Sequence, residues 1–448
     1  MTDPNNTDRA PGGRRGRAAR PGRGDRRRRS TVVRLLLLAA LLGLLATLAA
    51  VIFYSLVHQL ENLLWSTLPG AIGWGEPPWW YVLAVPAVGG LLVALALRLP
   101  GHGGHHPLQG LGTDPVTPRM LVSVLLASLA TLSFGLVLGP EAPLLAIGLT
   151  CGLVLARAVK AGDEETKVIS LAGAFAVLSM LLGALPASLM LFEMVAARGV
   201  VPSARLGRIL VPGLVAAGSG TLLFTGIAPW PGIDRVSLTL PPLPDYPTVR
   251  IADLFWCLLV AVVCGLAVVL SWRLARAVAD VARQYQLATL VGVGFLVGLL
   301  AVVFRALTDQ PIDLVLFSGT NALPQLVALS SVGVVALLVV EKALAYGLSL
   351  GAGFRGGPIF PGTFLGVGIG ILASFVLPGL ELTPAVITGL AASAAAVMRA
   401  PFFGALLAVL LGGAAAAQTV PLAIFGAIIG WVVALIFSVE EPSETGGA

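Results

Sequence analysis

Apolar positions in this chain do not alternate with polar ones; they run on. Stretches of about 20 apolar residues recur, the length at which a helix crosses a bilayer core. They predict spans near residues 33–57, 79–98, 119–138, 168–194, 206–226, 252–277, 287–306 and 327–350, with two or three more inside 385–437. Two further stretches, 142–158 and 358–377, are equally apolar but begin at prolines. They predict helices that start inside the membrane rather than at its surface.

Composition agrees with an all-α polytopic membrane protein. The 448 residues are 57% hydrophobic and 11% charged, whereas soluble domains carry roughly 25% charged residues. Charge adds an asymmetry. Residues 1–34 hold eleven Arg against three Asp, a net +8, so the rest of a chain of net +6 carries −2. The expected organisation is a disordered basic tail (1–32), a first transmembrane half (33–229), a polar, proline-rich connector (230–250), a second half (251–437) and a short tail (438–448). The basic tail reads as a signal holding the N-terminus in the cytoplasm, or as a patch for anionic membrane lipid; no nucleic-acid partner is implied. The 33–57 run is too long for a signal peptide and has no clean cleavage site. Cys151, Cys257 and Cys264 have no metal-binding spacing and point to no disulfide.

The chain repeats itself. GPEAPLLAIGLTCG begins at Gly139, and GPIFPGTFLGVGIG begins at Gly357, 218 positions later. Both fit G-P-x-x-P-x-x-x-x-G-x-x-x-G. A second pair follows in the same order: Pro186 in GALPASLMLF and Pro401 in MRAPFFGALLAVL, 215 positions apart. Two homologous halves follow from this, parallel or inverted. A helix start at membrane depth leaves free N–H groups and a positive dipole end, which attract an anion. Residues 139–143 and 357–361 therefore predict two facing anion-binding helix starts; the alternative is close helix packing through small residues.

Glu141 stands inside the first start, with no basic residue between Arg119 and Arg157 to pair with it. Ionised, it would fill the anion site; protonated, it would leave. That makes it a gate and a possible proton carrier.

These residues resemble the CLC family of chloride channels and chloride/proton antiporters. Gly139-Pro140-Glu141-Ala142-Pro143 is similar to the family's G-[KR]-E-G-P, and Gly356-Gly357-Pro358-Ile359-Phe360-Pro361 to its G-G-x-F-x-P. KALAYGLSLGAG (342–353), RAPFFGALLAVL (399–410) and SGTNALPQL (318–326) extend the resemblance over about 100–437. It implies an inverted repeat with broken, re-entrant helices, a homodimer with one pathway per subunit, and transport of chloride or another small anion. It also implies a gating Glu141 and anion contacts at Gly139, Ala142, Gly357, Ile359 and Phe360. Pro358 departs by lacking an N–H, and Pro140 by replacing a basic residue.

The family's first anion loop, G-S-G-I-P, corresponds to GHGGHHPLQG (101–110), where Gly103 and Gly104 replace the serine-bearing positions. His102, His105 and His106 there read as a protonatable cluster, a poor metal site or a plain vestibule loop. Antiporters use a second, inner glutamate. Glu193 is the candidate, two or three positions early, and otherwise a helix-end carboxylate near Arg198. Glu341, beside Lys342, reads as structural. No tyrosine follows Tyr346, although the family's last helix carries one. Without the serine and that tyrosine, weak proton coupling or passive flux is the expectation, with proton-coupled exchange as the alternative. The resemblance places the chain in a plasma (inner) membrane and implies no cofactor. An intramembrane enzyme would need a partnered nucleophile, and a cation or metal transporter several intramembrane carboxylates; the sequence offers neither.

Overall fold

The computed structural model describes residues 23–112, 115–197, 206–227 and 240–437. The start of the basic tail, Arg198, residues 230–239 of the connector and the C-terminal tail lie outside them. In the first half the helices are α1 (Arg23–Asn62), α2 (Leu68–Ala71), α3 (Trp79–Ala96), α4 (Pro118–Ser133), α5 (Glu141–Ala158), α6 (Asp163–Leu182), α7 (Ala184–Ala197) and α8 (Leu206–Ile227). In the second they are α9 (Ile251–Gln284), α10 (Gln286–Thr308), α11 (Leu323–Ala328), α12 (Val332–Ala352), α13 (Ile359–Val376), α14 (Leu382–Met398), α15 (Pro401–Gly412) and α16 (Val420–Phe437). α1 begins inside the basic segment assigned above to the tail. Ten helical segments among the described residues are long and apolar enough to cross a membrane.

The halves pack alike. α5 lies on α6, α6 on α8, α1 on α8 and α1 on α6; correspondingly α13 lies on α14, α14 on α16, α9 on α16 and α9 on α14. The last two glycines of the repeated motif make these contacts. A Cβ on Gly148 would overlap the Gly173 carbonyl of α6, and one on Gly366 the Gly389 carbonyl of α14. Gly152 sits likewise against Ser170, and Gly370 against Ala385. Small residues let these backbones approach, the usual way helices associate in lipid.

Prolines set the breaks. Pro140 and Pro358 are the N-caps of α5 and α13, where a missing N–H costs nothing. The single span expected over 168–194 is two helices. Pro186 cannot donate to Leu182, and its ring would strike that carbonyl in a continuous helix. Gly183, at φ +84°, makes the turn between α6 and α7.

Candidate functional site

The two broken helix starts meet. Gly139 N–H donates to the Gly357 carbonyl at 2.8 Å, and Gly357 N–H to the Gly139 carbonyl at 2.6 Å. This is an antiparallel bridge between equivalent motif positions, which is what a two-fold relation between inverted halves produces. A second exchange surrounds it. Val137 N–H donates to Ser349 Oγ (3.2 Å), and Arg355 N–H donates to Thr131 Oγ1 (3.0 Å). Val137 and Arg355 are 218 positions apart, as are Thr131 and Ser349. Each half thus fixes the loop of the other.

Glu141 lies on this frame with 0% exposure. Its Oε1 accepts from Phe360 N–H at 2.9 Å, and the carboxylate also faces Ile359 N–H. Pro358 has no N–H, so these are the first donors that α13 offers. Oε2 has no partner among the described residues. A Cβ on Gly139 or Gly357 would overlap Oε2, so only glycine at both positions leaves room for the carboxylate. Helix dipoles favour negative charge at this point, and the Glu141 carboxylate stands there.

The other expected contacts divide. Gly139 and Gly357 are beside the carboxylate, but their N–H groups are spent on each other. Ala142 lines a cavity with Gly103, Gly104 and Gly356. Gly103 N–H donates to Ser123 Oγ (3.2 Å) and Gly104 N–H to the Gly101 carbonyl (2.8 Å), so neither is left for an anion. His106 Nδ1 accepts from Leu108 N–H. Burial, then the positive charges of Arg355 and Arg283, push its pKa down to about 4. It is neutral near pH 7 and adds no charge to the loop. Glu193 makes no bond to this frame among the described residues; it caps α15, accepting from Phe402 N–H (3.1 Å) and Phe403 N–H (2.8 Å). Glu341 and Lys342 do not pair. Lys342 Nζ donates instead to the carbonyls of Leu314, Val315, Leu316 and Phe317 at 2.9–3.1 Å.

Cavities approach Glu141 from two sides. One of about 80 Å³ is lined by Tyr54, His58, Pro140, Ser318 and Thr320, near the end of α1. The other, of about 40 Å³, is lined by Gly104, Ser128, Ala142, Arg355 and Gly356, under the loop that follows α3. The start of α3 is tied to the end of α1, where Tyr81 Oη donates to the Leu64 carbonyl. At 18 residues and ~1.5 Å each, α3 spans ~27 Å, so the cavities lie toward opposite ends of it.

Sequence patterns did not single out Thr131, Ser349, Ser128 or Arg355. Shifting the chain by the 218-residue repeat would have paired the first two as matched hydroxyls and set Arg355 against Val137. In the sequence Tyr346 stands out only as the last tyrosine. Its hydroxyl donates to the Pro358 carbonyl at the start of α13 (3.2 Å), placing a tyrosine at this site from α12.

The family described as voltage gated chloride channel matches residues 26–204 and 105–435. The Escherichia coli protein named "Putative ion-transport protein YfeO" is 28% identical over 369 residues, 81% of this chain and 83% of the relative. A Shigella boydii protein of the same name gives the same figures. The structure of a slow cyanobacterial Cl−/H+ antiporter superposes with a TM-score of 0.72 at 19% identity, over 90% of this chain and 94% of that one. A CLC-type fluoride/proton antiporter gives 0.68 at 17% identity, over 91% and 96%. At these identities the structural likeness is one of fold.

Proposed function

The chain belongs to the voltage-gated chloride channel family, and we propose that it moves chloride or another small anion across a membrane through a pathway gated by Glu141. One observation carries this reading. A fully buried carboxylate occupies the N–H groups at the start of α13, between two cavities. Ionised, Glu141 holds the place and blocks it. Protonated, it loses its attraction for the helix start, and an anion takes the N–H groups of Ile359 and Phe360. The named activities of the structural neighbours, chloride/proton and fluoride/proton exchange, support an anion as the cargo. Gly139, Gly357 and Ala142 shape the place without donating to the anion.

Flux is passive or weakly proton-coupled, because Glu193 is engaged as the cap of α15 and is not free to relay protons. Strict anion/proton exchange is the second reading, favoured by the hydroxyls of Ser128 and Tyr346 near the helix starts. The basic run Arg26–Arg29 before the first span supports a cytoplasmic N-terminus in a plasma (inner) membrane, with the chain working as a homodimer of separate pathways. The test is reconstitution in liposomes under a chloride gradient, with chloride efflux and proton uptake followed together. Chloride efflux with little proton uptake is expected. A fixed ratio of protons to chloride selects the second reading, and no flux of chloride, fluoride or nitrate overturns both.

A further inference from the structure

The frame around Glu141 carries a second charge that the gating account does not use. Arg355 is 8% exposed. Its Nη2 donates to the His102 carbonyl (3.0 Å) and its Nη1 to the His105 carbonyl (3.3 Å), while Nε has no partner among the described residues. Neutral carbonyls do not cancel its charge. Among the described residues no carboxylate forms an ion pair with it. Its loop neighbour His106, half-buried and with a lowered pKa, is neutral. Arg355 and Ser128 both line the smaller cavity. Ser128, on α4, is 1% exposed, and its Oγ is also without a partner.

A buried cation without a counter-charge is costly, and a buried hydroxyl without a partner adds to that cost. Both costs fall on one cavity. Its volume of about 40 Å³ exceeds the ~10–15 Å³ that a cavity needs to hold one water, which leaves room for one small ion. Gly103 belongs to the same construction: a Cβ there would stand 2.7 Å from Arg355 Nε. Its φ of +72° also favours glycine. Resting on the anion-transport reading, we propose that Arg355 and Ser128 form a charged subsite for one small monovalent anion, a halide or nitrate, separate from the place Glu141 occupies. The guanidinium keeps free N–H groups after its carbonyl bonds, and charge-assisted bonds to an anion are the strong kind. An anion held there neutralises Arg355 while Glu141 remains ionised at the start of α13. The pathway therefore stays loaded on that side when the gate is closed. The equivalent residue of the first half, Val137, offers nothing comparable.

Bromide is the probe. In crystals of the full chain soaked in bromide, an anomalous peak is expected in the cavity between Arg355 and Ser128. Calorimetric titration of purified protein with chloride should show a Kd raised at least ten-fold in Arg355→Gln, partly restored in Arg355→Lys, and raised about three-fold in Ser128→Ala. Ser128→Ala touches no backbone bond, so it reports even if Arg355→Gln fails to fold. A wild-type crystal with no bromide beside Arg355 overturns the subsite, as does an unchanged Kd in folded Arg355→Gln. Liposome flux separates the two ideas. Wild-type flux without the peak removes the subsite alone, and the peak without flux removes the transport reading.

Discussion

Glu141 and Ile359 occupy the same place in two equivalent helix starts, and Val137 and Arg355 the same place in the loops before them. Around them a backbone frame is shared: the Gly139–Gly357 bridge, the hydroxyls of Thr131 and Ser349, and the prolines that begin α5 and α13. The backbone frame is therefore common property of the two halves, while the charges are added singly. The first half supplies a carboxylate, and the second supplies the N–H groups it occupies and a guanidinium nearby. Glu193 follows the same rule, for it too belongs to the first half and caps a helix start, α15, of the second. Symmetry builds the place, and departures from symmetry decide what can stand in it.

The largest expected effect comes from breaking the shared frame. Gly148→Val and Gly366→Val each drive a side chain into a backbone carbonyl of the partner helix. Overpacking of that kind costs about 3 kcal/mol or more. Thermal unfolding in detergent should show both variants strongly destabilised; if only one suffers, the halves are not packed alike. Next is Gly357→Ala, whose Cβ competes with Glu141 Oε2. The carboxylate is expelled, and liposome chloride flux at pH 7 should rise several-fold. Flux at or below wild type, with a normal melting temperature, would mean that the carboxylate does not block. Glu193→Gln weakens two charge-assisted bonds at the start of α15, for about 1 kcal/mol of stability, while anion flux persists. Loss of flux with unchanged melting would make Glu193 part of the pathway.

The smallest effect is at His106, beside Arg355. Its folded pKa, about 4, lies below the ordinary histidine value of 6.5. The unfolded chain therefore binds a proton first as pH falls, and the stability this group contributes is present above about 6.5 and lost toward 4. His106→Gln should flatten the melting temperature in that window and leave it unchanged at pH 8. An unaltered pH profile would mean that His106 is not held neutral by its surroundings.

Much of this was legible in the sequence, and the residues explain why. Run lengths reveal spans because every backbone group in lipid must be satisfied within a helix. The repeated prolines and glycines announce both broken starts, and Glu141 is conspicuous as a charge between them. The break at Gly183 was hidden inside one apolar run, although Pro186 was there to mark it. The positions of Gly103 and Gly104 in the anion loop were legible, but their N–H partners were not, because Ser123 is brought to Gly103 by folding alone. Glu193 was visible as a carboxylate while its target, α15, lay more than two hundred positions away. Arg355 was missed for a different reason. Its motif is dominated by glycines and proline, and only the 218-residue shift sets the residue two places before Gly357 against Val137.

The central claim is that an ionised Glu141 blocks the anion place and a neutral one frees it. Chloride flux from liposomes, measured between pH 4 and 8 for wild type and Glu141→Gln, tests it most directly. Wild-type flux should climb as pH falls, and Glu141→Gln should be flat across the range at the level the wild type reaches in acid. A Glu141→Gln variant that keeps the wild-type pH dependence, or that folds normally and carries no chloride, would contradict the account.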